Sequence, residues 1–358
     1  MAELLNISEP EYRQLDLDSY SSIKVFLDDR KKYYRKCVLK EKVEENKSQE
    51  SDDMRFGNLV DCLLLTPDEF DIRYSITTAV KPSGQMEEFV NILTKLTFNS
   101  VSENGDLTRK MTELIQEAYD ILAKANKGGK LRDSLEKFQE RFLIKKEGYD
   151  YYMELRSRGN QTIVTPEEVE MANRVVEFIV MHPHTYELMN MQSTENFEVK
   201  NQLIVTGEYE NIKLKMMTDK LIIDHKQKIV TPFDLKVMGN IDIFPYNYLK
   251  LRYYIQLAVY TTLLRQYYLP LGYSVQPLRF LTVDKFRYMD PVIVKTNEAD
   301  YLNAVNGFTL FDKKYRGLKE ALSDIRFHKN KGIWTSSREA QENSGVVTLK
   351  LHENYEGE

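Results

Sequence analysis

The sequence predicts an α/β domain: a small mixed central sheet flanked by helices, with a helical insertion. Three observations carry that prediction. Runs with strand character fall at 195–205, 213–224, 229–237, 278–283 and 291–294. Helix-spaced apolar residues stand on either side of them, Val169, Ala172, Val175, Val176 and Ile179 before, Phe308, Phe311 and Leu318 after. Residues 82–150 turn rich in lysine and glutamate, again with helical spacing at Phe89, Ile92, Leu93 and Leu96.

Composition narrows the class. A chain of 358 residues, 42% hydrophobic and 29% charged, can bury a sizeable core. No run approaches the length of a membrane span, and Met1–Asn6 lacks the basic start and apolar core of a signal peptide. Cys37 and Cys62 are too few for a disulfide framework or for the four thiolates of an iron–sulfur cluster. The expectation is a soluble protein of a reducing cytoplasm, with no membrane partner. A net charge of −5 excludes a protein that coats DNA through a general basic surface, so any nucleic-acid contact is a basic groove on an acidic body.

In chain order, residues 1–18 read as an irregular lead-in. Ser19 caps a helix with Ile23, Phe26 and Leu27 on one face, which continues into Lys31, Lys32, Arg35 and Lys36. That basic end either complements the helix dipole or touches a DNA backbone. Met54–Phe70 holds Gly57, Asp61 and an apolar run ending near Pro67. In the insertion, Lys124, Lys127, Lys130 and Arg132 form a basic cluster around a glycine break; the reading is a solvated helical face, with a DNA path as the alternative. Thr165, Pro166 and Glu168 make a strong helix start, and the helix ends near His182-Pro183-His184, read as a terminus and turn rather than a metal site. A strand from Glu195 to Val205 and a turn over Thr206–Asn211 lead into the central hairpin. A helix from about Glu298 to Ile325 follows the last strands, and 336–358 is a polar tail.

The chemistry sits in the central hairpin. One β-rich run, Lys213–Asp224, carries Asp219; the short polar connection His225–Lys228 joins it to a second, Ile229–Val237. Asp234 and Lys236 are two apart, so both leave one face of the strand, while Leu235 and Val237 point the other way into a core. Two carboxylates on neighbouring strands suit a hard cation such as Mg²⁺, and a lysine beside them can orient or deprotonate a water. The Asp-x-Lys triplet alone carries nothing, since it recurs at Asp29-Lys31, Asp224-Lys226 and Asp312-Lys314. Its company carries the reading: an apolar strand, an upstream aspartate, and a downstream helix with Gln256 and Tyr260 one turn apart.

This combination resembles the PD-(D/E)XK nucleases, with their restriction-endonuclease-like core, and within them the RecB-like group, in which a Gln-x-x-x-Tyr helix follows the Asp-x-Lys strand. The interval from Asp219 to Asp234 is slightly long for the family, which the His225–Lys228 connection absorbs. The Gly57 segment and the Thr165–His184 helix resemble RecE-like (exonuclease VIII) phage and prophage exonucleases, in which a His stands at the position of Asp61. The likeness covers about 19–335, implying one nuclease domain over 19–335 with its insertion at 82–150. It implies Mg²⁺, with Mn²⁺ able to substitute, held by Asp219, Asp234 and the Leu235 carbonyl. Asp61 is either a further ligand or a helix-surface carboxylate. Glu195 best matches a glutamate that lies near the metal in the family, with Glu198 the rival. Lys236 supports the attacking water, and Gln256 and Tyr260 brace the site. The implied activity is digestion of double-stranded DNA from its ends, 5′ to 3′, in a bacterial host cell, from a phage or prophage gene. A RecT-like annealing partner and a homo-oligomeric ring come with it. Two alternatives stand beside it: a RecB-like endonuclease or repair nuclease, and a non-catalytic DNA-binding protein on a nuclease scaffold.

Overall fold

The structure is a computed structural model and describes residues 2–41, 52–102, 106–126, 131–159, 161–285 and 290–348. The chain forms two compact units, one from Met1–Thr66 with Ala172–Glu358 and one from Pro67–Met171. Among the described residues no helix is long and apolar enough to cross a membrane.

The first unit is built on a mixed sheet flanked by helices. Its strands are β1 (Glu3–Leu5), β4 (Phe197–Tyr209), β5 (Ile212–Asp224), β6 (Ile229–Met238), β7 (Ser274–Val275), β8 (Arg279–Asp284) and β9 (Val292–Val294). The order is β1-β4-β5-β6-β8-β9, with β7 also on β6. β4, β5 and β6 form an antiparallel meander; β6 and β8 are parallel, so a crossover must join them. The Tyr253–Tyr268 helix lies in that crossover. Ile255, Leu257, Ala258, Val259, Leu263 and Leu264 are all fully buried, so it is apolar on nearly every side, as a central helix must be. With the helices Tyr20–Asp28 and Leu318–Lys331 it packs on the sheet residues Val205, Leu214, Met216, Leu221, Val230 and Met238. Val230 and Met238 share the parity of Asp234 and Lys236, so the main core lies on the face of the acid and the lysine, not on the opposite one. Leu235 is buried on that opposite face, and Val237 is half-buried.

Several expectations need correction. The lead-in is ordered. β1 pairs with β4, and Ser8 and Glu11 form a capping box that starts a helix at Glu9–Gln14. The predicted turn at 206–211 is mostly strand: β4 runs to Tyr209, and only Glu210 and Asn211, both at positive φ, make the turn. Gly207 lies within that strand because a Cβ there would meet the Leu263 side chain at 2.8 Å. The helix expected from 298 to 325 is two helices, Glu298–Asn306 and Leu318–Lys331. A hairpin of β10 (Phe308–Leu310) and β11 (Lys313–Tyr315) separates them.

The second unit has its own core. Phe89, Leu93, Leu114, Ile115, Phe138, Phe142 and Tyr152 are fully buried among helices that include Gln85–Phe98, Met111–Ala125 and Tyr149–Ser157. It is wider than the lysine-rich stretch, because β2 (Tyr74–Ile76) pairs in parallel with β3 (Thr162–Val164).

Candidate active site

Asp219 sits where β5 loosens from both neighbours. The β5–β6 ladder runs from Asp224↔Ile229 to Lys220↔Phe233 and stops one rung short of Asp219 and Asp234. Beyond it Asp219 Oδ2 accepts the Leu235 backbone N–H at 2.5 Å, so a side chain replaces the missing ladder bond. On the other side, the β4 pairing skips the rung between Asn201↔Lys220 and Leu203↔Thr218. Gln202, opposite Asp219 in that register, has φ of 49°, a left-handed conformation rare for a residue with a side chain. Strained backbone of this kind clusters at functional sites.

Asp234 is held from two directions. Its Oδ1 accepts from Gln256 Nε2 at 2.5 Å, and its Oδ2 is in an ion pair with Lys236 Nζ. Period two puts Asp234 and Lys236 on one face, and the crossover helix delivers Gln256 to it. Lys236 Nζ also lies over the Tyr253 ring, 4.7 Å from its centroid.

The electrostatics follow from burial, from Asp234 and Asp219 beside one ammonium, and from Asp61 acting on Asp219. Burial pushes the Asp219 carboxyl well above the usual carboxylate range, and the negative charges of Asp234 and Asp61 push it further; Lys236 and the Leu235 N–H only partly oppose them. Burial would lower the pKa of Lys236, but Asp234, Tyr253, Asp219 and Tyr20 reverse the effect and raise it above that of an ordinary lysine. These neighbours favour the ammonium form of Lys236, which suits it to orienting a water or an oxyanion. Tyr260, buried on the crossover helix, has its phenol pushed well up by burial and by Asp234, Tyr12 and Asp219.

Asp61 lies on the helix Asp52–Leu65, which packs against β5 and β6, and its charge is felt at Asp219. Glu195 is not brought to the site. It is exposed and precedes β4 at the end where Phe197 faces Asp224, and the strand from Phe197 to Gln202 alone spans about 17 Å. Glu198 is engaged at the same far end, 2.9 Å from Lys200 Nζ and 3.7 Å from His225 Nε2. Lys31, Lys32 and Arg35 are exposed, and the Asp29 carboxylate caps the backbone N–H groups of Lys31 and Lys32. Lys36 is half-buried. Lys127 and Lys130 lie outside the described residues.

Sequence reasoning missed Tyr20, Lys24 and Tyr253. Tyr20 donates to the Leu251 carbonyl at 2.6 Å; burial pushes its phenol up, and it lies near enough to feel the charges of Lys236 and Asp234. Lys24, one turn further along the same helix, has its pKa pushed down chiefly by burial, with Arg252 and Lys236 among the charges near it. Their i, i+4 spacing after the Ser19 cap was the available signal, as was the i, i+3 spacing of Tyr253 and Gln256. At His182-Pro183-His184, the turn brings in a carboxylate. His182 Nε2 lies 3.1 Å from Asp290 Oδ1, and ligand atoms of His182, His184 and Asp290 all lie within 4.8 Å of one another.

Asp61, Asp219 and Asp234 offer only oxygen donors, the kind a hard divalent cation takes. Asp219 is driven towards its protonated form first by burial and then by the charges of Asp234 and Asp61.

No protein-family model matches the chain, and no curated protein matches it. Among solved structures, the crystal structure named "Putative exonuclease" from Eubacterium rectale aligns over 99% of this chain and 100% of its own, at 14% identity and a TM-score of 0.46. A likeness at that level assigns neither a family nor an activity to this chain.

Proposed function

We propose that this protein is a divalent-metal-dependent deoxyribonuclease on a PD-(D/E)XK core, digesting double-stranded DNA from its ends, 5′ to 3′. One observation carries the reading: Asp219, Asp234, Lys236 and Gln256 meet where β5 and β6 part, with the charge of Asp61 reaching Asp219. Asp219, Asp234 and the Leu235 carbonyl would hold Mg²⁺, or Mn²⁺ in its place, and Asp61 would complete the set. The cation supplies Lewis-acid polarisation of a phosphate and activation of water. Lys236 presents an ammonium to the attacking water and to charge developing on the phosphate. Gln256 fixes the rotamer of Asp234, and Tyr260 backs the helix behind it. Lys24, with Lys31, Lys32, Arg35 and Lys36, is the basic track for the DNA backbone. Digestion from 5′ ends leaves a 3′ overhang for a RecT-like annealing partner, and a homo-oligomeric ring would keep the enzyme on its strand.

The experiment is cleavage of linear and covalently closed circular DNA by purified protein in Mg²⁺ and in EDTA. The expected result is Mg²⁺-dependent loss of linear DNA only. Cleaved circles would replace the exonuclease with an endonuclease, and intact DNA throughout would remove the nuclease reading. In the same assay Asp61→Ala is expected to lose most activity. Asp61→His, which exchanges an anion for a neutral nitrogen donor, should retain some and shift preference away from Mg²⁺. Parental cleavage by Asp61→Ala across a Mg²⁺ titration would make Asp61 structural.

A further inference from the structure

The hairpin of β10 and β11 closes with a two-residue turn, Phe311–Asp312, between the paired Leu310 and Lys313. Both turn residues have positive φ, 47° and 58°. Turns of this geometry select Asn and Gly, because a Cβ disfavours the left-handed conformation. A phenylalanine at the first position is a poor choice for folding. It is a second poor choice for solvation: Phe311 is 91% exposed, more than any other large apolar side chain among the described residues.

The base of the hairpin is firmly anchored. Phe308 and Tyr315 stack at 4.9 Å, nearly parallel, and both meet the Tyr254 ring edge-on at 5.4 and 6.1 Å. Gly307 and Gly317 pinch the base so closely that a Cβ on Gly317 would lie 2.2 Å from the Gly307 nitrogen. Tyr254 follows Tyr253, the residue against Lys236, so the hairpin and the acid–lysine strand rest on the first turn of one helix. Three residues of strand carry the tip about 10 Å outward from that anchor. Lys313 and Lys314 stand exposed beside it, Lys313 Nζ 5.6 Å from the centroid of the Tyr315 ring and Lys314 Nζ 3.9 Å from Glu320.

We infer that this tip is a nucleobase-stacking contact: the Phe311 ring packs on a terminal base of the DNA, while Lys313 and Lys314 meet the adjoining phosphates. The inference rests on the nuclease reading and gives it a device for recognising an end. A terminal base pair exposes a π-face that a duplex interior does not, and aromatic stacking accepts any base. The flanking lysines favour a polyanion over an apolar partner.

The test uses the full chain carrying Asp234→Asn, to prevent cleavage, with Ca²⁺ and a duplex ending in the fluorescent base 2-aminopurine. With Phe311 present, binding should quench the terminal base. Phe311→Asn, a residue at ease in the left-handed turn, should raise the Tm, abolish the quench and weaken binding roughly 10-fold. Phe311→Trp should keep both quench and affinity. Equal quenching and affinity with Phe311→Asn would overturn the inference and leave the nuclease reading standing. A change of molecular mass in solution with Phe311→Asn, at unchanged DNA affinity, would assign the tip to contact between copies and likewise overturn it. No DNA binding even with Phe311 intact, and no cleavage by the parent chain, would remove both.

Discussion

Asp234→Asn is expected to lower DNA cleavage on the order of 10³-fold or more while leaving the protein folded and able to bind DNA. The carboxylate is the anionic centre of the site, shared between Lys236 and Gln256. Asparagine keeps an oxygen for Gln256 Nε2, so the crossover helix stays seated. It removes the charge that balances Lys236, and with it a ligand for the cation. Stability changes from two opposed effects: the Lys236 ammonium loses its nearest partner, but Asp219 loses a repulsive neighbour. The net shift in Tm should therefore be small beside the loss of rate. Cleavage rates and thermal melts on the same preparation check it, and a folded variant that cuts at the parental rate would remove Asp234 from the chemistry.

Asp219→Asn should make the metal-free protein more stable at neutral pH and abolish cleavage. The folded state raises the pKa of Asp219 through burial and through Asp234 and Asp61, above the value of about 3.9 in an unfolded chain. A carboxyl raised in this way binds its proton more tightly when folded. Its stabilising contribution is complete below the unfolded pKa and is lost as pH rises through the folded one. The parent in EDTA should thus lose stability from mildly acidic to neutral pH, and the variant should lose less. The gap between their melting temperatures should close towards pH 4. Mg²⁺ should stabilise the parent at neutral pH and have little effect on the variant, because a ligand that binds only the folded state stabilises it. Melts from pH 4.5 to 8, in EDTA and in Mg²⁺, measure both. A variant less stable than the parent at pH 8 in EDTA would contradict the repulsion described here.

The parts of the site that were legible are those fixed by local periodicity. Two-residue spacing puts Asp234 and Lys236 on one strand face, and the i, i+4 pair Gln256 and Tyr260 lies on the helix that crosses it. Glu195 was misplaced because a long strand does not say which of its ends meets the site. Register did, and register depended on the tight Glu210–Asn211 turn, hidden within a longer apparent loop. The hairpin at 308–315 was hidden because Phe308, Phe311 and Leu318 mimic helical spacing. Gly307 and Gly317 were the contrary signal, and only the close approach of their backbones reveals why they are there. The core behind Asp234 ran against the expectation that the Leu235 and Val237 face is the one turned to the core. It holds because Gln256 and Lys236 satisfy the carboxylate from within. Tyr20 and Tyr253 reach Lys236 from other elements: helical spacing groups each with its own neighbours, and tertiary packing brings them to the lysine.

If the parting of β5 and β6 is the proposed divalent-metal centre, anomalous scattering from crystals soaked in Mn²⁺ should show a peak within bonding distance of Asp219, Asp234 and the Leu235 carbonyl, lost in Asp234→Asn. A fully occupied peak only at His182, His184 and Asp290, with none between β5 and β6, would contradict it.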